Sequence, residues 1–263
     1  MADSDDILAT AIALADAARA ACLPFFRAPD LSIDNKDAGA FDPVTEGDRA
    51  AERAMRAVLA RQRPDDGIIG EEFGNTPGRS GMTWVLDPID GTRAFMAGAP
   101  TWGVLIAAGP DGQAPTHGII DQPFIGERFI GTPGAAWTEG PLGRRNLAVR
   151  RGVPAQGAIL MSTYPEVGTS DESAAFARVA ERVRLTRYGL DCYAYALLAA
   201  GQVDLVIEAG LAPYDIQGPM AVIRAAGGIV TGWDGGPAER GGRVIAAADP
   251  DLHAQACGWL AAG

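Results

Sequence analysis

The chain has 263 residues, of which 48% are hydrophobic and 21% are charged, a composition that excludes a disordered or fibrous class of protein. Its formal net charge of −11 disfavours polyanionic partners, so we expect neither nucleic acid nor an anionic membrane as a ligand. The three cysteines, Cys22, Cys192 and Cys257, lack metal-ligand spacing and cannot all pair. They therefore indicate reduced thiols and a cytoplasmic location.

The first predicted element is an N-terminal helix that Ser4 can cap. No basic segment precedes its apolar stretch, so we do not expect a signal peptide. No run of 18 apolar residues is found, so we expect no membrane span. One face of this helix is predicted to be apolar, and it contains Leu8, Ala11, Ile12, Ala15, Ala18 and Cys22.

A loop rich in Pro, Gly and Asp is predicted to about residue 44, and it contains Lys36, the single lysine of the chain. Thr45 and Asp48 then have the spacing of a capping box, which predicts a helix to about Arg61. Four strands are predicted after this helix, because β-branched and aromatic residues are frequent there. They are Met82–Leu86, Trp102–Ala108, Gly118–Asp121 and Glu127–Ile130.

The pattern changes after about residue 140, where buried strands alternate with helices. The strands are predicted at Gly157–Ser162, Val183–Arg187 and Val203–Glu208, and the helices near 171–182, 190–200 and 215–226. We therefore expect an α/β protein with an α+β half over residues 1–140 and an α/β half over residues 141–263. The Gly- and Pro-rich stretch 131–143 is the expected seam between the halves.

The most informative stretch is Asp87-Pro88-Ile89-Asp90-Gly91-Thr92, which directly follows a predicted strand. Asp87 is expected at the end of the strand and Asp90 in the turn after it. Two carboxylates supply hard oxygen ligands for a divalent cation, and Gly91 allows the backbone to approach an anion closely. An ordinary turn is the alternative interpretation, because Asp and Gly both favour turns.

Other acidic residues have equally ordinary alternatives when each is taken alone. Gly70-Glu71-Glu72 is compatible with an exposed turn, Asp215 with a helix N-cap, and Asp48 with the capping box. Spacing excludes some other sites. An EF-hand that began at Asp87 would need a glutamate where Gly98 stands. The two aspartates are also one residue too far apart for an aspartyl-phosphate phosphatase.

In combination, these segments resemble the inositol monophosphatase family of lithium-sensitive, magnesium-dependent phosphatases. The resemblance covers most of the chain and rests on motifs in the family's order. They are Asp42–Asp48, Gly70–Glu72, Asp87–Thr92, Tyr214–Asp215 and Ala226–Gly228. The resemblance implies a layered αβαβα sandwich, a small phosphate ester as substrate and a homodimer.

The resemblance also implies a site for two or three Mg²⁺ ions. Its expected ligands are Glu71, Asp87, Asp90, Asp215 and the carbonyl of Ile89. Glu71 and Thr92 are expected to activate the attacking water, with Asp48 supporting Thr92. Because metal-activated water would be the nucleophile, no phosphoenzyme is expected.

Departures from the usual inositol monophosphatase motifs resemble the histidinol-phosphate phosphatase branch of the family. They lie in 93–100, 187–198 and 211–215. The resemblance implies that Arg93 and Arg187 join the substrate site. It also implies that Asp90, Gly91 and Thr92 lie near the phosphate and that Asp215 contributes to substrate binding.

Histidinol phosphate carries an amine and an imidazole, so acidic partners at its non-reacting end make chemical sense. Asp191 and Glu208 are the candidates, although Asp191 is also compatible with a helix cap and Arg187 with a surface ion pair. Inositol 1-phosphate, adenosine 3′,5′-bisphosphate, fructose 1,6-bisphosphate or another sugar phosphate remain alternative substrates. A regulatory or binding protein with weak catalysis is the alternative of another class.

Overall fold

The computed structural model describes residues 4–29, 33–35 and 43–262. Lys36 and Asp42, the first residue of the first family motif, lie outside the described residues. The helices in the described residues are α1 (Ser4–Cys22), α2 (Glu46–Gln62), α3 (Thr92–Ala97), α4 (Ser170–Ala180), α5 (Cys192–Ala199), α6 (Pro213–Ala225) and α7 (Pro250–Ala261).

The strands of the described residues form one small ribbon and two larger sheets. The ribbon pairs β1 (Ile33–Asn35) with β2 (Pro43–Thr45). The first large sheet contains β3 (Gly67–Gly70), β4 (Gly74–Thr76), β5 (Met82–Asp90), β6 (Gly103–Pro110), β7 (His117–Gln122), β8 (Glu127–Thr132), β9 (Ala135–Glu139) and β10 (Arg145–Asn146). The second contains β11 (Ile159–Ser162), β12 (Leu185–Tyr188), β13 (Leu205–Leu211), β14 (Ile229–Gly232) and β15 (Gly242–Ala247).

The eight-stranded sheet has the order β10-β9-β8-β7-β6-β5-β3-β4. Successive strands from β5 to β10 pair antiparallel, whereas β3 lies parallel to β5. Side chains alternate between the two faces of the sheet. Trp84, Leu86 and Ile106 therefore pack with α1 and α2, whereas Leu105 and Ile120 face the opposite side.

The five-stranded sheet has the order β12-β11-β13-β15-β14. Its strands alternate in the same way, so Met161 and Val206 face α5 and α6, and Leu160 and Leu205 face α4 and α7. Helices α5 and α6 lie between the two sheets and share one hydrophobic core with both. The expected five-layer αβαβα sandwich is confirmed.

The predicted helices are confirmed with small shifts of their ends, and the capping box at the start of α2 is present. The predicted turn at Asp90 is instead the end of β5. A bulge accommodates it: Asp87 pairs with Leu105 and Asp90 with Gly103, so β5 has one residue more than β6. Strand β12 was expected to be buried, but it lies at the edge of the five-stranded sheet and most of its residues are exposed.

Residues 131–143, the expected seam, contain β9. Pro133 and Gly134 form the turn between β8 and β9, and Gly134 has a φ of +86°, a value that glycine adopts without strain. The Gly and Pro residues thus mark a hairpin, and the first sheet extends to Asn146. The division of the chain into 1–140 and 141–263 stays a prediction.

Helix α1 with the turn after it, Ser4–Phe25, is long and apolar enough to cross a membrane by length and composition. This is weak evidence for a membrane span, because core helices of globular proteins pass the same test of length and composition. Leu14, Ala15 and Ala18 of α1 are fully buried in the core that it shares with α2 and the first sheet.

Candidate active site

Three carboxylates meet where β5 ends and α6 begins. Oxygen atoms of Asp87, Asp90 and Asp215 all lie within 4.8 Å of one another. The bulge in β5 places both of its aspartates on this side, although a regular strand would direct residues three positions apart to opposite faces. Asp215 lies in the first turn of α6, where the amide of Ala212 donates to its carboxylate at 2.7 Å.

Glu71 joins this cluster from the neighbouring strand. It directly follows β3, and its amide donates to the carbonyl of Leu86 on β5 at 3.3 Å. Its carboxyl lies close enough to Asp87 to raise the pKa of that aspartate. The four acids predicted as metal ligands are therefore brought together.

The electrostatics of the cluster call for a cation. Burial, together with the negative charges of Glu71, Asp90 and Asp215, raises the pKa of Asp87 well above its usual range. Burial and nearby carboxylates, Asp191 first among them, likewise raise the pKa of Asp90, although the amide of Cys192 donates to it at 2.7 Å. A divalent cation with a preference for oxygen ligands would relieve this repulsion, so the residues fit Mg²⁺.

Thr92 lies beside the cluster, at the first position of α3. Its hydroxyl is 3.2 Å from the carbonyl of Ile89 and 3.5 Å from Oδ1 of Asp48. The preceding Gly91 has a φ of +82°, which allows the sharp turn from β5 into α3. Thr92 is thereby held close to both the expected carbonyl ligand and Asp48.

Asp48 is the capping-box residue of α2, and it also lies near Thr92. It is fully buried, and its Oδ2 accepts hydrogen bonds from the amide and the hydroxyl of Thr45, as a capping-box residue does. Its other oxygen, Oδ1, is the one that lies near Thr92. The start of α2 is thus connected to the start of α3.

A cavity of about 320 Å³ opens next to the carboxylate cluster. Its wall includes the following residues predicted for the site: Asp90, Gly91, Thr92, Arg93, Asp191, Glu208 and Asp215. Ser162, Thr163, Tyr164 and Tyr195 also line it, and the motifs did not single them out. Three of them lie at or just after the carboxyl end of β11, and Tyr195 lies on α5. No motif in the sequence connects these two segments.

Asp191 and Glu208 both reach this cavity, but their hydrogen bonds differ. Both oxygens of the buried Glu208 carboxylate have donors: Thr163 donates its amide at 3.0 Å and its hydroxyl, and Tyr195 donates its hydroxyl at 2.8 Å. Asp191 precedes α5 without capping it by its side chain, and Thr101 donates to its Oδ2 at 3.2 Å.

The environment of Asp191 is unusual for a carboxylate. Burial raises its pKa to about 6, with a contribution from Glu208, against the opposing effects of Thr101 and Arg93. Its backbone has a φ of +48°, which is strained for a residue other than glycine. Its carboxylate also packs against Gly91, where an added Cβ would lie 2.8 Å from Cγ of Asp191.

The two arginines predicted for the substrate site lie in different places. Arg93 is at the cavity wall, where its guanidinium donates to the hydroxyl of Tyr164 at 3.1 Å and lies over its ring. Arg187 is exposed on the edge strand β12 and is not among the residues that line the cavity. Its assignment to the substrate site stays a prediction.

Glu52 is a buried acid near the site that the sequence analysis did not single out. It accepts hydrogen bonds from the amides of Glu72 and Phe73, at 2.7 and 3.2 Å. Its spacing of four residues from Asp48, on the same face of α2, is the signal in the sequence that points to it.

Comparisons with known proteins agree with this geometry. Residues 3–261 match the inositol monophosphatase family. A chloroplastic bifunctional phosphatase of Arabidopsis thaliana, IMPL2, is 39% identical over 96% of this chain and 74% of its own length. A histidinol-phosphatase of Streptomyces coelicolor is 36% identical over 99% of this chain and 98% of its own. The solved structure of an inositol monophosphatase from Zymomonas mobilis superposes with a TM-score of 0.87 at 38% identity, covering 99% of both chains.

Proposed function

The chain belongs to the inositol monophosphatase family and is a phosphoric monoester hydrolase, and from this premise we propose that it is a Mg²⁺-dependent histidinol-phosphate phosphatase. The observation that supports this proposal is a carboxylate cluster beside a cavity whose wall also carries Asp191 and Glu208. The cluster suits a metal and a phosphate, and the acidic wall suits the cationic end of the substrate.

In the proposed mechanism, Glu71, Asp87, Asp90, Asp215 and the carbonyl of Ile89 would hold two or three Mg²⁺ ions. When bound, they would neutralise the phosphate and lower the pKa of the water that attacks it. The chain's own residues orient the reactants, because phosphoryl transfer depends mainly on positioning and charge.

The attacking water would lie between Glu71 and Thr92. The Glu71 carboxylate accepts a proton from this water, and the Thr92 hydroxyl orients it. In this mechanism the single hydroxyl proton of Thr92 goes to Asp48 rather than to the nearer carbonyl of Ile89, so the lone pairs of the hydroxyl oxygen can accept from the water. Since water attacks phosphorus directly, no side chain becomes phosphorylated.

Within the same cavity, we assign the amine of the substrate to Asp191. Glu208 has donors on both oxygens, and it would serve chiefly to make this wall negative. The carboxylate of Asp191 has Thr101 as its hydrogen-bond donor, so it retains acceptor capacity for an ammonium group. Arg93, beside Tyr164, would approach the phosphate side of the substrate.

Inositol 1-phosphate is the second candidate substrate. It is favoured by the likeness to the Zymomonas mobilis structure, which has a higher identity than the Streptomyces coelicolor histidinol-phosphatase. The two candidates differ in charge, because inositol offers only hydroxyl groups away from its phosphate. The acidic wall of the cavity therefore favours histidinol phosphate.

The test is phosphate release from histidinol phosphate, inositol 1-phosphate, fructose 1,6-bisphosphate, adenosine 3′,5′-bisphosphate and an aryl phosphate, with and without Mg²⁺. We expect the highest kcat/KM for histidinol phosphate and no turnover without a divalent ion. A higher kcat/KM for inositol 1-phosphate would overturn the substrate assignment but not the metal mechanism. Loss of all activity despite bound Mg²⁺ would favour the regulatory class instead.

The Asp191→Asn variant tests the amine assignment. Loss of a charge-assisted hydrogen bond is worth about 1.5–3 kcal/mol, or roughly ten- to a hundredfold in kcat/KM for histidinol phosphate. The aryl phosphate, which has no amine, should be affected much less. Asp171→Asn, on the exposed first turn of α4, is the matched control. Equal losses on both substrates would mean that Asp191 supports the fold or the metal site.

We further propose that the protein is a cytoplasmic homodimer. The location is supported by the free thiols, since all three cysteines are unpaired and two of them, Cys22 and Cys192, are buried. The dimer rests on the family resemblance, and light scattering during size-exclusion chromatography would measure it.

A further inference from the structure

A polar stripe runs along the inner face of α2. It consists of Asp48, Glu52 and Arg56, which are spaced by four residues and therefore lie one above the other on the helix. Asp48 and Glu52 are fully buried, and only 19% of the Arg56 side chain is exposed. Buried charges of this kind are costly unless each is hydrogen-bonded.

The Glu52 carboxylate binds the loop that follows Glu71. One carboxylate oxygen accepts from the amide of Glu72 at 2.7 Å. The other accepts from the amide of Phe73 at 3.2 Å and from Nε of Arg56 at 2.7 Å. Because the amide of Glu71 itself binds β5, through Leu86, the backbone is anchored on both sides of the Glu71 side chain.

The residue before Glu71 must be a glycine for this arrangement to exist. A Cβ at Gly70 would overlap the Glu52 carboxylate and lie 2.6 Å from a terminal nitrogen of Arg56. The same guanidinium donates to the carbonyl of Gly74 and, at 3.1 Å, to the hydroxyl of Thr76. Helix α2 thus holds the turn between β3 and β4, and β4 itself.

We infer that Glu52 is a positioning residue for catalysis, which acts through Glu71, and that α2 sets the spacing between the two groups that orient the attacking water. Asp48 on its first turn holds Thr92, and Glu52 one turn later holds the Glu71 loop. This inference rests on the proposed roles of Glu71 and Thr92. Glu52 itself is not among the residues that line the cavity, so its effect would pass through the loop that it binds.

The Glu52→Gln variant tests this inference, because it keeps the shape of the side chain but removes its charge and one of its acceptors. We expect kcat for an aryl phosphate to fall about tenfold or more, since charge-assisted hydrogen bonds to the loop are lost. KM should change little, because the phosphate and its cavity are untouched. In metal-free protein, hydrogen–deuterium exchange of the Glu72 and Phe73 amides should accelerate.

Glu46→Gln is the matched control on the same helix, because Glu46 forms an exposed ion pair with Arg53 and should leave kcat and the exchange rates unchanged. Arg56→Lys is a milder variant, which keeps the cation but cannot make all of the guanidinium's contacts. If Glu52→Gln fails to fold, Arg56→Lys tests the same inference, and we then expect a smaller fall in kcat. Faster exchange with an unchanged kcat would overturn the inference, and so would unchanged exchange or a proportional change in both KM and kcat.

Glu71→Gln separates this inference from the proposed function. If Glu71→Gln retains full activity, the proposed mechanism fails and Glu52 has no catalytic group to position. If Glu71→Gln is inactive while Glu52→Gln and Arg56→Lys both behave as wild type, only the inference about Glu52 fails.

Discussion

At the scale of single residues, the site depends on carboxylates whose mutual repulsion would destabilise the protein without a metal. Asp87 is the clearest case, because it is almost fully buried and faces three other acids. A site that holds like charges together costs stability and is retained for its chemistry. Substitutions here should therefore change activity and stability in opposite directions.

We predict that Asp87→Asn lowers kcat/KM by more than about a hundredfold at modest Mg²⁺, since even the partners of metal ligands are worth 10- to 100-fold. The melting temperature of the metal-free variant should rise, because one buried negative charge is removed from the cluster. Steady-state kinetics and calorimetry without metal are the measurements. Asp66→Asn, another buried aspartate of this half, is the control and should keep kcat. Near-normal activity of Asp87→Asn would contradict the metal assignment.

Thr92 is tested by removal of its hydroxyl. We predict that Thr92→Ala lowers kcat about tenfold or more while KM changes little, because a hydrogen bond to the attacking water is lost in the transition state. Thr92→Ser keeps the hydroxyl beside Asp48 and should retain most of kcat. If Thr92→Ala has the kcat of the wild type, the hydroxyl has no part in orienting the water.

At the scale of secondary-structure elements, α1 is attached to the first sheet by buried charge as well as by apolar packing. Asp121 on β7 is fully buried between two guanidinium groups. It accepts from Arg19 of α1 at 2.7 and 3.1 Å and from Nε of Arg128 on β8 at 2.7 Å. This network attaches α1 to β7 and β8 of the first sheet.

We predict that Asp121→Asn destabilises the protein by about 3–5 kcal/mol, because it removes the buried counter-ion that Arg19 and Arg128 share. Asp16→Asn removes the exposed partner of the same Arg128 and should cost less than about 1 kcal/mol. Urea unfolding followed by circular dichroism measures both. Similar losses for the two variants would show that burial of Asp121 is not what makes the network strong.

At the scale of the whole molecule, α6 is the element that both sheets share, and it carries Asp215. It can approach the first sheet closely because glycines face each other there. A Cβ at Gly118 on β7 would overlap the carbonyl of Gly218 and lie 2.7 Å from Cβ of Ala221. A shift of α6 would therefore move a metal ligand relative to Asp87 and Asp90.

We predict that Gly118→Ala lowers stability by about 1–3 kcal/mol, the usual cost of overpacking, and raises the Mg²⁺ concentration needed for half-maximal activity. Gly258→Ala on α7 is the control. No atom lies within 4 Å of its Cβ position, so the better helix propensity of Ala should leave stability unchanged or slightly raised. Thermal unfolding and Mg²⁺ titration of activity measure the effects. An unchanged Mg²⁺ requirement in a destabilised Gly118→Ala would show that Asp215 does not depend on the position of α6.

The sequence alone was sufficient for the features that depend on neighbours along the chain. The capping box of Thr45 and Asp48, the strand that leads into Asp87 and the helix that begins near Asp215 all follow from local spacing and periodicity. The layered fold and the acids of the site followed from motif resemblance. Residues 131–143 show the limit of such patterns, since Pro and Gly mark a tight hairpin as readily as a linker, and the division of the chain stays a prediction.

Only the tertiary structure decided which distant groups meet. The bulge in β5 and the layer position of α6 bring Asp215 to Asp87, and sheet order places Arg187 on an exposed edge rather than at the cavity. The different hydrogen bonding of Asp191 and Glu208 and the hold of Glu52 on the Glu71 loop likewise appear only in three dimensions. The physical reason is that strand register and the packing of layers fix these contacts, and both are set by the summed burial of residues far apart in the chain.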